Sequence, residues 1–129
     1  MPRVLVVDGS HLMVWLVQML VPDDVQVVQA ARFADAQAML SSDPPDAAIF
    51  SLTPSTVEWS RLISLCHQHS PPIPFVLCTT LDGELPDELR LPYPPLAVVR
   101  KPARISDLRA ILSDLLREVK PDTAGGTPG

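Results

Sequence analysis

The sequence predicts an α/β fold, a parallel sheet joined by crossover helices, on three observations. The run Ala47-Ala48-Ile49-Phe50 is entered from Asp43-Pro44-Pro45-Asp46 and ends at Ser51-Leu52-Thr53-Pro54, turn formers on both sides, as in a strand buried on both faces. Strand and helix patterns alternate along the chain, the signature of crossover connections. Ser51 stands at the carboxyl end of that central strand, where an open parallel sheet carries its chemistry.

Each element follows from local pattern. Val4 to Val7 is a buried strand that stops at Asp8-Gly9-Ser10, and Ser10 can cap the helical run His11 to Val21. Pro22-Asp23-Asp24 turns the chain into a second strand, Val25 to Ala30. Phe33 to Leu40 follows as a helix, with Ala36, Met39 and Leu40 at helical spacing, ahead of the central strand. Thr56 to His69 repeats the helical period through Trp59, Leu62, Ile63 and Cys66 until Pro71-Pro72 ends it. Ile73 to Cys78 reads as the fourth strand, closing on Thr79-Thr80. Leu81 to Pro95 contains Pro86, Pro92, Pro94 and Pro95, so it holds at most one short helix around Asp87 to Arg90. Leu96 to Val99 is the fifth strand and Arg100-Lys101-Pro102 its exit. Ser106 then caps a last amphipathic helix with Leu108, Ile111, Leu112, Leu115 and Val119 inward. Residues 1–119 form one domain, and 120–129, rich in glycine and proline, a disordered tail or linker.

Composition bounds the function. With 129 residues, 47% hydrophobic and 19% charged, the chain is long enough for one domain with a core that needs neither disulfide nor metal. No apolar run approaches the roughly 18 residues of a membrane span. Met1-Pro2-Arg3 leads directly into the first strand, unlike a signal peptide, so a cytoplasmic protein with no membrane partner is expected. Cys66 and Cys78 fall in apolar stretches without metal-ligand spacing and read as buried, reduced thiols. His11, His67 and His69 are scattered over helices and read as solvated or partner-facing rather than as ligands. A net charge of -5 without a basic cluster argues against nucleic acid. No cofactor or metal is expected, and one glycine in Asp8-Gly9-Ser10 is too few for a nucleotide-binding loop.

Five strands and five helical segments in this order, with polar residues closing strands one, three, four and five, resemble the receiver domain of bacterial two-component response regulators. The resemblance runs from Arg3 to about Val119. It is carried by Val4-Leu5-Val6-Val7-Asp8, Val27-Val28-Gln29-Ala30 through Ala36, Pro45-Asp46-Ala47-Ala48-Ile49-Phe50, Pro74-Phe75-Val76-Leu77-Cys78-Thr79 and Val98-Val99-Arg100-Lys101-Pro102. It implies a doubly wound, flavodoxin-like sheet with strand order 2-1-3-4-5, here with an irregular or shortened fourth helix.

The family's chemistry uses an aspartate after strand three as phosphoryl acceptor, two acidic residues after strand one that help hold magnesium, a hydroxyl after strand four and a lysine after strand five. Position by position, this sequence keeps Asp8, Thr79 and Lys101 but has Gly9 at the second acidic place and Ser51 at the acceptor. Magnesium wants several oxygen ligands in octahedral geometry, so one carboxylate holds it weakly. A serine hydroxyl must lose a proton to attack, and the motif places no base beside it. The aromatic residue that often stands three places before the lysine is here Val98. The resemblance thus implies an atypical, pseudo-receiver member that is not an enzyme, and the retained Asp8, Lys101 and Thr79 read first as structural groups.

The first helix is unusual in carrying no charged residue from His11 to Leu20. With Leu12, Met13, Leu16, Val17 and Leu20 inward, His11, Val14, Trp15, Gln18 and Met19 point to water, the composition of a protein interface. The expected function is a phosphorylation-independent signalling module acting through a signalling or scaffold partner, or through a second copy of the chain docked on the first helix. The competing reading is a diverged receiver that still serves a phosphorelay by substitute chemistry.

Overall fold

The chain runs β1 (Arg3–Val7), α1 (His11–Leu20), β2 (Gln26–Ala30), α2 (Phe33–Ser42), β3 (Ala47–Leu52), α3 (Trp59–Gln68), β4 (Phe75–Thr79), β5 (Ala97–Arg100) and α4 (Ile105–Glu118). The structure, a computed structural model, describes residues 2–52, 59–69, 71–79, 96–100 and 104–119. The expected irregular connection 81–95, with its short helix, and the tail 120–129 lie outside the described residues.

All five strands join one parallel sheet in the order β2-β1-β3-β4-β5, as expected. The registers pair Val7 with both Ala30 and Phe50, Ser51 with Cys78, and Thr79 with Arg100. The winding reverses at β1, which has β2 on one side and β3 on the other, so the cleft of an open α/β sheet falls at the carboxyl ends of β1 and β3.

Successive residues of a strand face opposite sides, and both sides here are apolar. Ala47 and Ile49 pack with Val4, Val6, Val76 and Val99 beneath α1 and α4, which contribute Met13, Val17, Leu108, Leu112 and Leu115. Ala48 and Phe50 pack with Leu5, Val7 and Leu77 beneath α2 and α3, which contribute Ala36, Leu40, Leu62, Ile63 and Cys66. Phe50 and Phe75 meet with ring centroids 5.7 Å apart in a tilted pair. Among the described residues no helix is long and apolar enough to cross a membrane.

Several boundaries differ from the sequence reading for local reasons. The fourth strand begins at Phe75 rather than Ile73, because the Ile73 amide donates to the Cys66 carbonyl at 2.9 Å and Pro74 has no amide to give to the ladder. Ser106 is not the cap of the last helix. That helix starts at Ile105, with Arg104 at the cap position making no side-chain hydrogen bond, so Ser106 lies within the first turn. The expected inward set of this helix holds, with Leu108, Leu112 and Leu115 buried and Ile111 and Val119 half-buried against the same core. Val25 belongs to a turn, its amide donating to the Pro22 carbonyl at 3.0 Å, and β2 starts one residue later.

Arg3 fastens the approach to β3. Its amide donates to Asp46 Oδ2 at 2.7 Å, the Asp46 amide returns a bond to the Arg3 carbonyl at 2.9 Å, and its guanidinium bonds Asp43 Oδ1 at 2.9 Å and the Asp43 carbonyl at 2.8 Å. Asp43 is largely exposed, so the ion pair is worth under about 1 kcal/mol and mainly sets geometry. His69 lies just past α3 rather than on it, half-buried, with Nε2 2.6 Å from the Leu40 carbonyl at the end of α2. It makes a tertiary contact within the domain, where the sequence suggests a solvated or partner-facing side chain.

Cys66 and Cys78 are both buried and unoxidised. They belong to opposite faces of the sheet, Cys66 to the α2–α3 layer and Cys78 to the α1–α4 layer, so no disulfide joins them without breaking the fold. Burial pushes the Cys66 thiol from 9.0 up to about 12. A raised thiol pKa leaves stability intact below about pH 9 and erodes it up to about pH 12, because only the unfolded chain ionises freely in that window. Denaturant unfolding at pH 8 and 10.5 should therefore show about 2 kcal/mol of alkaline destabilisation in the native sequence that Cys66→Ala lacks. Equal losses in both proteins would count against a sequestered thiol.

Candidate functional site

The carboxyl edge of the sheet is built outward from β1. The Asp8 amide continues the ladder to the Ala30 carbonyl at 3.1 Å, and its carboxylate Oδ1 accepts from the Ser10 amide at 2.9 Å. This is an Asx turn, in which a short acidic side chain replaces a backbone partner. Ser10, extended at φ -98 and ψ 138, caps α1 through its hydroxyl, which accepts from the Leu12 amide at 3.1 Å. The expected cap is therefore present. From the neighbouring strand, Gln29 Nε2 donates to the carbonyls of Asp8 at 2.8 Å and Ser10 at 3.4 Å.

Register brings the other residues to this edge. Because Val7 pairs with Phe50, Asp8 stands level with Ser51, and because Ser51 pairs with Cys78, Thr79 lies one step further along. Ser51 is 5% exposed and Thr79 fully buried. Gly9 is exposed, and a Cβ there would meet nothing nearer than the Ala31 carbonyl at 3.8 Å. The backbone at position 9 thus accommodates a side chain, and the glycine is no requirement of the turn. Asp8, Gly9, Ser51 and Thr79 therefore gather at one edge, while Lys101 lies outside the described residues. Their joint chemistry is modest: one carboxylate already bonded to an amide, a glycine and two buried hydroxyl residues. No group of three or more His, Cys, Asp or Glu side chains suited to a metal occurs among the described residues.

Gln29 is not apparent from the sequence as part of this edge. It sits in the strand run Val27-Val28-Gln29-Ala30, and the only hint is an amide at a half-buried position where an apolar residue would pack better. Val98, at the place of the expected readout aromatic, is 37% exposed on β5, an edge strand.

The outer face of α1 is a second candidate surface, and here the sequence reading needs correction at two positions. Leu12, expected inward, is 62% exposed, and Val14, expected outward, is half-buried against the α1–α4 core. His11, Trp15, Gln18 and Met19 are exposed, with Trp15 at 56% and Met19 at 57%. The buried pair Met13 and Val17 sets the phase of the helix, and Leu12 lies one residue, about 100°, behind Met13. Leu12, Trp15 and Met19 thus form one apolar stripe in water.

Among the described residues, two surface cavities lie away from both places. One of about 310 Å³ is lined by Gln37, Arg61, Ser64, Leu65 and Gln68, and one of about 340 Å³ lies at the amino ends of β3 and β4, with walls including Pro44, Pro45, Pro71, Pro72 and Pro74.

Comparison with known proteins bears on the fold. No protein-family model matches the sequence, and no curated protein does. Solved structures do: the signal receiver domain of an HD domain-containing protein from Pseudomonas fluorescens is similar at a TM-score of 0.73 and 21% identity, covering 90% of this chain and 94% of that one. The chemotaxis response regulator CheY4 of Vibrio cholerae gives 0.68 and 22%, covering 92% and 98%. A response regulator from Thermotoga maritima gives 0.70 and 18%, covering 90% and 98%. The chain has the receiver fold.

If Gln29 holds the loop between β1 and α1, Gln29→Leu leaves two carbonyls without that donor and should cost about 1 to 2 kcal/mol. Urea unfolding measures the loss, and amide exchange at Ser10 and Leu12 should accelerate ahead of the sheet amides. Exchange that speeds uniformly through the chain would show that Gln29 merely adds to global stability.

Proposed function

We propose that this chain is a receiver-like signalling module that acts by binding a protein partner, without phosphoryl transfer and without enzymatic activity of its own. The observation that carries the reading is Ser51, buried at the carboxyl end of β3 and level with the Asp8 loop. An acceptor at that place needs a nucleophile and a divalent cation beside it. Ser51 supplies a hydroxyl that ionises only with help from a base, and Gly9 supplies no ligand. Asp8 is the one carboxylate level with Ser51 on the neighbouring strand, and its Oδ1 already accepts from the Ser10 amide. A single carboxylate makes a poor magnesium site. The uncharged outer face of α1 is the surface through which the module works: Leu12, Trp15 and Met19 stand more than half in water, each forgoing about 1 to 2 kcal/mol of burial. A cytoplasmic setting suits two thiols that remain reduced.

Incubation with acetyl phosphate and magnesium, followed by intact mass, tests the reading directly. The expected outcome is an unchanged mass. An adduct of one phosphate that disappears in Ser51→Ala would overturn it and favour the phosphorelay reading, which Asp8 and Thr79 keep in view.

The same edge should become a cation site when its carboxylates are restored. Gly9 has room for a side chain, and a carboxylate at position 51 would stand buried beside Asp8, where like charges about 4 Å apart repel by roughly 4 kcal/mol at an effective dielectric of 20. The double variant Gly9→Asp/Ser51→Asp is therefore expected to melt below the native protein in chelator and to regain about 1.4 kcal/mol at magnesium tenfold above its Kd. A melting temperature indifferent to magnesium would show that the edge is not arranged as a receiver site.

A further inference from the structure

We infer that the proline-walled cavity at the amino ends of β3 and β4 binds a guanidinium group, the arginine side chain of a polypeptide partner. The site is separate from the α1 face and lies at the opposite edge of the sheet from Asp8 and Ser51. At about 340 Å³ the cavity falls at the small end of the range for ligand sites, a size for one side chain. What marks it is a wall rich in acceptors and poor in donors. Pro44, Pro45, Pro71, Pro72 and Pro74 have no amide hydrogen to give. The Asp46 amide is spent on the Arg3 carbonyl at 2.9 Å, the Ile73 amide on the Cys66 carbonyl at 2.9 Å and the Val119 amide on the Leu116 carbonyl at 3.2 Å. Glu118 is the last residue of α4, and its amide belongs to the helix ladder.

The side chains continue the pattern. His69 Nε2 lies 2.6 Å from the Leu40 carbonyl, which only accepts, so Nε2 carries the proton and Nδ1 of the neutral ring is an acceptor. One oxygen of Asp46 accepts from the Arg3 amide at 2.7 Å. Its other oxygen, like both of Glu118, has no hydrogen bond or ion pair among the described residues. The Arg3 guanidinium, although close to this turn, is held by Asp43. An occupant that satisfies such a wall brings donors and positive charge, and the net charge of -5 draws it in. Guanidinium fits better than ammonium: it is planar and weakly hydrated, lies against proline rings, and directs five N–H groups outward to acceptors on separate elements. Ile73 and Val119 offer apolar surface to the stem. Free arginine would bring a carboxylate to a wall without donors, so the side chain comes from a polypeptide.

Titration of the isotope-labelled full chain with N-acetyl-arginine amide, followed by amide resonances, reads this out. The Asp46, Ile73 and Val119 amides should shift saturably with a Kd on the order of 1 mM, as suits a fragment of this size. N-acetyl-citrulline amide, the uncharged isostere, should not bind, and N-acetyl-lysine amide and free arginine should bind several-fold more weakly. Asp46→Asn keeps an oxygen for the Arg3 amide, and Glu118→Gln alters an exposed helix end; each should weaken binding about threefold, and the pair about tenfold. Asp107→Asn, which removes an exposed carboxylate at the far end of α4, should leave the Kd unchanged. Unshifted resonances at about 20 mM ligand, well above that Kd, overturn the site. Equal binding of the citrulline compound overturns its preference for charge, and equal weakening by Asp107→Asn shows attraction to the net charge alone and overturns it too. Lysine binding as tightly overturns the choice of guanidinium, and free arginine binding as tightly overturns the polypeptide source.

Discussion

Burial of β3 on both faces is the constraint on which the rest of the molecule depends. Ala47, Ala48, Ile49 and Phe50 have no exposed surface at all, so the strand must be covered above and below and paired on both edges. Only helices on both sides of a parallel sheet satisfy that demand for a strand without alternating polarity. Once β3 is central, its neighbours are fixed by register, and the polar residues that end the apolar runs are carried to one edge together. Asp8, Ser51 and Thr79 meet there because hydrophobic strands of similar length end at the same level.

Among the described residues, local hydrogen bonds hold the β1 end of this edge. The Asp8 carboxylate completes a turn, the Ser10 hydroxyl starts a helix, and the Gln29 amide ties both carbonyls to the neighbouring strand. One oxygen of the Asp8 carboxylate is thereby engaged in building the loop. The same loop determines which residues of α1 face the sheet, because the cap sets the first turn and every later side chain follows at about 100° per residue. The site and the exposed seam therefore share one origin in the polar contacts around Asp8 and Ser10, in the sense that shifting the cap by a residue would rotate the whole seam.

Much of this was legible in the residues. Runs such as Val4-Leu5-Val6-Val7 and Ala47-Ala48-Ile49-Phe50, and the amphipathic period of Leu108, Leu112 and Leu115, each allow one reading, and the strand order followed from resemblance to a known architecture. The rotation of α1 was not legible. Eight of its ten residues are apolar, all but His11 and Gln18, so hydrophobic pattern alone does not choose between Leu12 and Val14 as the inward residue. Ser106 misled for a related reason: a serine near a helix start is a good cap only if the chain begins to wind just after it, and Ile105 is already wound. Gln29 was hidden because a long-range side-chain bond to a carbonyl leaves no local pattern.

The division of the core into two layers has a consequence for how the molecule responds to change. Met13 and Val17 touch one side of the sheet and Leu62 and Cys66 the other, with a full thickness of hydrogen-bonded backbone between them. Perturbations more than about 7 to 10 Å apart without shared partners add rather than couple. An event on α1 therefore reaches the α2–α3 face only through the strands that both layers share, by way of backbone rather than of side chains in common contact.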